Sequence, residues 1–550
     1  MTDSLKEEFW FVENYRQTIK GIIWSCQQNP NEKSLTILKT IVEAAYTKIR
    51  NVGPRSTKVG NLGLNALATC GEDAAFGLMN LMRNKSKYQR YIKALDKHLA
   101  KFMESSEGDP ERLADKTIPD FGFKGKEKIV ALDGRVSILY RIKNQSLTKK
   151  WLVNGEEQKS IPAFIKTEYR AEEKEISAEF KRMNTVLKDM KNRVKTYWLY
   201  DREWTQENWS QHIAQHPLVR PYALNMIWTT KSGNDFLLTE TGLVDVQGKP
   251  VMIDKKEEIK LWHPVNASQE DIKNWQAYIY QNKIKQPLRQ AFREHYPFSE
   301  TELKSEESLR FAHHFLKTNN LMAIANSAGW IFTYAHEGHN WPRKFIKQKN
   351  LTAHLSCDYH PYDYAVPTKA LFFTEGNTTK IEHKLTEEKL MLSTISPVTL
   401  SESCRDIDLF IATTSIAIDP ELSNASEDQK NYRGDFYRGN FSDNASAKVR
   451  KEIIMMLSPI LKLQPSFEKN YMIIKGQLNE YRINLGSGFA QVKDSQKHIN
   501  LLPDIKPMKK SKKLQIPIQD DETLYIILAK ALYLKDDDKI QDEKIRNLLT

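Results

Sequence analysis

The spacing of apolar residues changes near Pro119, and this change constrains the fold more than any other feature of the sequence. Before that point the spacing is helical, as in the set Leu38, Ile41, Val42, Ala45 and Ile49. Intervals of three and four place apolar side chains on one face of a helix. The same pattern recurs at 64–82 and 88–102. Paired amphipathic helices about 40 residues apart predict a short HEAT-like array over residues 1–117.

Beyond Pro119 the sequence predicts strands mixed with helices. The predicted strands are 129–132, 136–142, 370–374, 409–416, 471–475 and 481–485, with tight turns at Asn154-Gly155 and Gln247-Gly248. Helical spacing returns at 180–194 and in a last helix that follows Asp520-Asp521. We therefore predict an α+β fold, in which an N-terminal HEAT-like helical segment precedes mixed α/β domains: a core over 118–420 and a small domain over 448–550.

Cysteine usage and the first residues predict a cytoplasmic protein. The four cysteines are scattered and form no CxxC pair, which is typical of a reducing compartment. Acidic residues stand where a secretory signal carries basic ones, and no run of about 18 apolar residues is present. We therefore expect neither export nor a membrane span.

The excess of positive charge is mild for a chain of 550 residues, with 82 Lys and Arg against 70 Asp and Glu. Nucleic acid becomes a partner when basic side chains gather on one face, because affinity depends on how many phosphates are neutralised together. The helical segment is predicted to expose a set of cations that we interpret as a solvated face: Arg55, Lys58, Lys85, Lys87 and Lys93. The sequence alone does not show whether these basic side chains lie together on one face.

Three carboxylates and an arginine fall within a few residues, at Glu402, Arg405, Asp406 and Asp408. With a strand predicted from residue 409, Asp406 and Asp408 would lie in the loop leading into it and face the same side. Carboxylates in this arrangement can hold Mg²⁺ or position a general base, which makes the four residues catalytic candidates. The alternative is structural, with Arg405 paired to Glu402 or to an acid elsewhere in the fold.

A second candidate site is the pair Arg289 and Arg293. In a helix they would share a face, where two guanidinium groups can bind a phosphate or a carboxylate. Glu294 would point off that face, so an acidic partner must come from elsewhere. Two interpretations remain: solvated arginines on an outer helix face, or, together with His313 or His314, the lining of a central cleft.

The turn Gly486-Ser487-Gly488 follows a predicted strand. Its glycines would let backbone amides approach an anion, which makes these three residues ligand-binding candidates. The turn lacks both the dinucleotide fingerprint and the lysine-serine ending of a phosphate loop. A tight hairpin turn is therefore the other interpretation.

Zinc-type donors occur close together at His336, His339, His354, Cys357 and His360. Their spacing is not that of a helical zinc protease motif, and loop formers such as Gly338 and Pro342 stand among them. We interpret them as packing or surface residues and predict no metal site. The sequence identifies no cofactor.

Several short motifs occur along the chain in the order in which one protein family has them. They include Gly-Pro-Arg-Ser-Thr-Lys-Val-Gly-Asn from Gly53, Gln-Pro-Leu-Arg-Gln-Ala-Phe-Arg-Glu from Gln286 and Tyr-Arg-Ile-Asn-Leu-Gly-Ser-Gly from Tyr481. Together they resemble the domain-of-unknown-function family 4132 of molybdate metabolism regulator-like bacterial proteins, with its accompanying small C-terminal domain, from about residue 20 to 550. The resemblance implies this architecture, and partners that include an ATPase system. Phe489 departs from the family, which usually has Asn after Gly-Ser-Gly.

Two classes of function follow, and a third, direct DNA binding, rests only on the net charge and on the regulator label that the resemblance implies. The first is a cytosolic bacterial regulatory or scaffold protein with a protein partner, which requires no missing motif. The alternative is an enzyme acting on a nucleotide or nucleic acid, with Asp406, Asp408 and Arg405 at its site. Against the enzyme, the sequence shows no recognisable nucleophile–base pair and no phosphate loop.

Overall fold

In a computed structural model of the protein, the described residues are 13–49, 53–86, 88–105, 115, 117–143, 145–199, 201–333, 340–359, 363–379, 388–418, 427–438, 445–493, 498–499, 504–510, 517, 521–541 and 546. The chain divides into two compact units. Unit 1 comprises Met1–Lys191 and Asn208–Pro221, and unit 2 comprises Asn192–Glu207 and Tyr222–Thr550.

Unit 1 begins with amphipathic helices, as the apolar spacing predicts. They are Glu13–Gln28, Glu32–Tyr46, Thr57–Thr69, Asp73–Lys85 and Gln89–Ser105, with the short strand pair Lys48–Ile49 and Gly53–Pro54. The Asn31 side chain caps Glu32–Tyr46 by accepting from two backbone amides, and Ser56 caps Thr57–Thr69. Their apolar faces form one buried core. The helices are confirmed, whereas a HEAT-like repeat stays a prediction.

A four-stranded antiparallel sheet follows in unit 1. Its strands, in spatial order, are Glu127–Ala131, Val136–Lys143, Ser146–Val153 and Glu156–Glu157. The predicted turn at Asn154-Gly155 is confirmed, and both residues have positive φ, at 53° and 83°. The long helix Arg170–Leu199 contains the predicted 180–194, and its Glu179 lies 2.8 Å from Lys128 on the sheet.

Short helices complete this part of the chain, at Ala163–Glu168, Gln206–Trp209, Ser210–Ala214 (a π-helix) and Arg220–Ala223. His216, between the last two, is neutral. Its Nδ1 accepts from the Leu218 amide at 3.2 Å, and its Nε2 donates to the Ile118 carbonyl at 3.0 Å. Burial lowers the pKa of this imidazole and so favours its neutral form, and the Leu218 amide donating to Nδ1 leaves the one proton on Nε2.

The described residues of unit 2 form three five-stranded antiparallel sheets. The first has the order Leu243–Val244, Asp235–Leu238, Ile227–Thr230, Glu258–Leu261 and Glu203–Thr205. The turn predicted at Gln247-Gly248 is confirmed, because the Gly248 amide donates to the Asp245 carbonyl at 3.0 Å. A 3-10 turn, Pro264–Asn266, and the helix Gln269–Gln281 follow.

The second sheet is built on the long strand Ala365–Glu375, which contains the predicted 370–374. It pairs with Glu307–Ser308, Phe315–Lys317 and Leu351–Cys357, and the last pairs with Arg343–Ile346. The helices around it are Glu300–Leu303, Thr318–Ser327 and Glu427–Arg438, with 3-10 turns at Lys347–Lys349, Leu392–Thr394 and Ile416–Ile418.

The third sheet has the order Ser466–Glu468, Tyr471–Lys475, Glu480–Asn484, Ala490–Val492 and His498–Ile499. Its helices are Ala445–Leu461, Lys506–Lys510 and Glu522–Lys535, with a 3-10 turn at Asp537–Lys539. The strands predicted at 471–475 and 481–485 are confirmed, and Asp521 caps the last helix. One apolar core joins this sheet to Trp262, Trp275 and Phe292.

The prediction of a strand at 409–416 is wrong. These residues continue the helix Pro397–Thr414, which we call the central helix, and they end in the turn Ile416–Ile418. A short apolar run suits a buried helix as well as a strand, and here the helix is buried on most of its circumference.

In the described ranges, no helix combines the length and apolar character needed to cross a bilayer.

Candidate functional site

The four catalytic candidates lie on the central helix, not in a loop before a strand. This corrects the predicted geometry, because helix positions two apart differ by about 200° in direction. Asp406 and Asp408 therefore contact different neighbours and do not face a common ligand. The helix begins where Ser396 accepts from the Thr399 amide at 3.3 Å, with Pro397 in its first position.

Glu402 is the most enclosed of the candidates. Arg293 approaches it with two nitrogens, Nε lying 2.6 Å from Oε1. His263 adds Nε2 at 3.0 Å from the same Oε1. The Arg293 guanidinium also lies 4.2 Å from the ring centre of Trp198, a favourable cation–π contact. The carboxylate is thus held by groups from two other segments of unit 2.

The hydrogen bonds of His263 fix the protonation states of His263 and Glu402. The Val265 amide donates to Nδ1 of His263 at 3.1 Å, so the proton of the neutral imidazole resides on Nε2 and points at Glu402. Burial lowers the pKa of His263 and keeps it neutral. Burial alone would raise the pKa of Glu402, but Arg293 and the His263 hydrogen bond outweigh it and hold that pKa well below its usual range.

Glu294 lies between two arginines. Nη1 of Arg289 is 3.1 Å from one carboxylate oxygen, and Nε of Arg405 is 3.0 Å from the other. Burial would raise the pKa of Glu294, yet the two guanidinium groups lower it overall. The structural alternative for Arg405, a pair with an acid elsewhere in the fold, is the arrangement observed.

The shared helix face predicted for Arg289 and Arg293 is wrong. Residues 284–299 form no helix: this segment bends at 287–288 and turns at 291–292, with Pro287 and Pro297 near its ends. The two side chains bind different acids, Glu294 and Glu402. The prediction of solvated arginines also fails, since their side chains are only 24% and 10% exposed.

Asp406 and Asp408 tie the helix to further elements. Asp406 accepts from the Trp330 indole at 2.8 Å and lies 2.7 Å from Nζ of Lys344. Asp408 accepts from the Tyr296 hydroxyl at 2.5 Å. Burial raises the pKa of Asp408, and that of Tyr296 is raised too, first by burial and then by the nearby carboxylate.

Sequence reasoning missed Gln290, which anchors the segment between Arg289 and Arg293. It is fully buried and uses both ends of its amide. Nε2 donates to the carbonyls of Ile227 at 2.6 Å and Trp262 at 2.8 Å, and Oε1 accepts from the Ile227 amide at 2.7 Å. His263 and Trp198 were missed as well. No local pattern could reveal them, because each contact joins segments far apart in the chain.

The Gly486-Ser487-Gly488 turn joins Glu480–Asn484 to Ala490–Val492, as the hairpin interpretation predicts. Asn484 Oδ1 accepts from the Gly486 and Ser487 amides at 2.8 and 3.0 Å. The carbonyls of the turn face cations: Gly486 accepts from Arg450 at 2.7 Å and Gly488 accepts from Lys530 at 2.7 Å. Its role as a ligand site stays a prediction.

A cleft of about 570 Å³ lies elsewhere in unit 2. Its carboxylates are Asp235, Asp245, Asp254, Glu257 and Asp271. Several of them already shape loops, since Asp245 accepts from the Gln247 and Lys249 amides and Glu257 accepts from the Ser232 amide. None of the candidates predicted from the sequence lines this cleft.

His313 and His314 were proposed to join the arginines. His314 instead contacts the Tyr432 hydroxyl at 2.9 Å, and His313 is exposed with positive φ.

Of the zinc-type donors, His336, His339 and His360 lie outside the described residues. His354 accepts from the Trp341 indole at 3.1 Å. Among the described residues, no group of three His, Cys, Asp or Glu side chains is arranged to hold a metal.

Comparison with protein families places most of these features in two recognised domains. Residues 155–330 match a domain of unknown function, DUF4132. A second domain of unknown function, DUF7737, matches residues 447–549. His263, Arg289, Arg293 and Glu294 lie in the segment that matches DUF4132, and the Gly486-Ser487-Gly488 turn lies in the segment that matches DUF7737. The central helix lies between the two matched segments. Neither the curated proteins nor the solved structures gave a match.

The ion pairs and hydrogen bonds around the central helix connect residues of the segment 155–330 with residues that follow it in the chain. Glu402 and Glu294 are each neutralised by arginine, and Asp406 by Lys344. Pairs of this kind fix the relative placement of the elements that carry them, because separating a buried pair exposes each charge to a low dielectric. Chemically, the arrangement stabilises one conformation of unit 2.

Proposed function

We propose that this protein is a regulatory or scaffold protein that acts by binding a protein partner. In this proposal the buried ion pairs and hydrogen bonds around the central helix are its internal framework. One observation carries the proposal: each of the four catalytic candidates on the central helix already contacts a partner side chain within unit 2. A general base must instead reach a substrate proton.

Electrostatics supports the same conclusion. A catalytic carboxylate works best with a pKa near the operating pH, whereas Arg293 keeps the pKa of Glu402 far below that range. Its side chain is only 10% exposed. Cys404 on the same helix is unsuited to act as a nucleophile, because it is fully buried and burial raises the pKa of its thiol.

The first experiment separates the framework from an enzyme site. The full chain would be screened by thermal shift with Mg²⁺, MgATP, MgGTP and a short oligonucleotide, and product release would be assayed in parallel. A ligand at 100 times its dissociation constant stabilises by about 2.7 kcal/mol. We expect no turnover that depends on Asp406. Turnover, or a nucleotide shift, that Asp406→Asn abolishes while Asp254→Asn retains it would overturn the proposal.

The second experiment tests binding directly. The tagged full chain would be purified from the cells that encode it, and each co-purifying protein would be produced separately and recombined with the pure chain. We expect one defined complex by analytical ultracentrifugation, with an ATPase component as the partner that the family resemblance implies. Failure of every recombined candidate to bind at physiological salt would contradict the scaffold role.

A further inference from the structure

The helix Gln89–Ser105 of unit 1 carries a row of cations opposite its buried face. Its buried residues are Tyr91, Leu95, Leu99 and Phe102. Arg90, Lys93, Lys97 and Lys101 are all exposed and follow one another at intervals of three, four and four. At 3.6 residues per turn these four positions fall within an arc of about 80°, on the side turned away from the core.

The acidic side chain of Asp96 on this helix is engaged outside the row, because it is paired with Arg83 of the preceding helix. Within the described residues, no ion pair engages Arg90, Lys93 or Lys97. The helix therefore presents a line of positive charge about 16 Å long, at a rise of about 1.5 Å per residue.

The neighbouring helix Thr57–Thr69 widens the row into a face. Lys58, Asn61 and Asn65 recur at intervals of three and four, and Lys101 donates to Asn65 Oδ1 at 2.6 Å. Asn61 Oδ1 accepts from the Tyr46 hydroxyl at 2.6 Å. Because both amide oxygens are used in this way, the NH₂ groups remain as additional donors.

Arg90 closes the face at its other end. Tyr91, the residue after Arg90, stacks on Tyr46 with 4.4 Å between ring centres, so this end of the row lies beside the Tyr46–Asn61 contact. We call the set Lys58, Arg90, Lys93, Lys97 and Lys101 the basic face. Its cations come from two packed helices, so the backbone positions that carry them are fixed relative to one another.

We infer that the basic face binds the phosphate backbone of a nucleic acid, independently of base sequence. Successive cations on Gln89–Ser105 stand about 4.5–6 Å apart along its axis, and each nucleic-acid strand carries one charge about every 3.4 Å. A regular row of this length matches a linear polyanion better than a small anion. Lysines predominate, and they act as point charges without the bidentate geometry that reads bases.

The test uses the full chain and a fluorescent 20-base-pair duplex of mixed sequence, followed by anisotropy from 50 to 200 mM salt. Neutralising four phosphates predicts a slope of log K against log salt of about −3 to −4. The double variant Lys93→Glu/Lys97→Glu should weaken binding at 50 mM salt by at least about tenfold and reduce the slope by about two. Lys93→Gln/Lys97→Gln should fall between.

Lys255→Glu/Lys256→Glu is the matched control, because it changes net charge equally at two exposed lysines in unit 2. Its affinity should stay within twofold of the natural chain. Three results would overturn the inference: no binding by the natural chain at 50 mM salt, equal loss in both glutamate variants, or displacement of the duplex by polyglutamate as readily as by unlabelled duplex. The inference is independent of the proposed regulatory role, so either can fail alone.

Discussion

Arg293 and Glu402 are 109 residues apart in the chain and form the most enclosed ion pair of the central helix cluster. Each side chain is only 10% exposed. Glu402 also accepts from His263, and the Arg293 guanidinium packs on Trp198. Removing one member of a buried pair leaves the other charged in a low dielectric, which costs more than the pair contributes by itself.

Glu402→Ala should therefore lower the free energy of unfolding of unit 2 by about 3–5 kcal/mol. Urea unfolding followed by tryptophan fluorescence measures this change. Glu375→Ala removes an exposed carboxylate at the end of a strand in the same unit and should stay within about 0.5 kcal/mol of the natural chain. A loss under about 1 kcal/mol for Glu402→Ala would mean that the cluster is not an internal framework.

His354 should make unit 2 sensitive to acid. Its Nδ1 accepts from Trp341, its ring stacks on Phe372, and burial, with a smaller effect of Arg343, lowers its pKa to about 3. Because the unfolded imidazole titrates near pH 6.5, the unfolded state binds more protons below that pH. Stability should therefore fall as the pH drops from about 6.5 towards 3, by up to about 1.4 kcal/mol per unit.

The variant His354→Gln removes this titration. Urea unfolding at pH 4, 5, 6 and 7 should show a weaker pH dependence for the variant. The free energy of unfolding of the natural chain, relative to that of the variant, should fall by about 3 kcal/mol from pH 7 to pH 4. Parallel profiles would show that His354 does not contribute to the acid sensitivity.

Arg450 should be irreplaceable by lysine. It forms two bonds to Asp521, at 2.9 and 3.1 Å, and donates to the carbonyls of Leu485 and Gly486 at 2.8 and 2.7 Å. A lysine keeps the charge but lacks the planar fork. Arg450→Lys should destabilise the segment 447–549 by about 1–3 kcal/mol, measured as faster hydrogen exchange at 480–492. Lys451→Arg is the neighbouring control and should leave exchange unchanged.

Gly77 tests the packing of unit 1. A Cβ there would lie 2.7 Å from the Thr117 carbonyl oxygen, so Gly77→Ala requires a backbone shift and should destabilise by about 1–3 kcal/mol. Gly21 stands in a helix with open space around its Cβ position. Gly21→Ala should instead stabilise by about 0.5–1 kcal/mol. Thermal unfolding compares the two, and the same sign of change at both sites would contradict this account.

Local pattern predicted the elements well where it was long or bounded by turns. Four helices of the described N-terminal residues, between Glu32 and Ser105, depend on side chains within a few positions of one another. The same holds for the turns at Asn154-Gly155 and Gln247-Gly248 and for the strands 471–475 and 481–485. It failed at 409–416 and at 286–293. An apolar run of eight residues fits a strand and a buried helix equally, and Pro287 and Pro297 opposed a helix that the Arg spacing favoured.

The sequence by itself determined the α+β class, the helical start of the chain and the residue types of the candidate site, because periodicity and turn chemistry act over short distances. Only the tertiary structure decided what those residues do. Glu402, Arg405, Asp406 and Asp408 contact different neighbours around one helix, and their partners lie 62 to 112 positions away or, for His263, 139. Such pairings follow from how the segments of unit 2 pack together, and local spacing does not encode them.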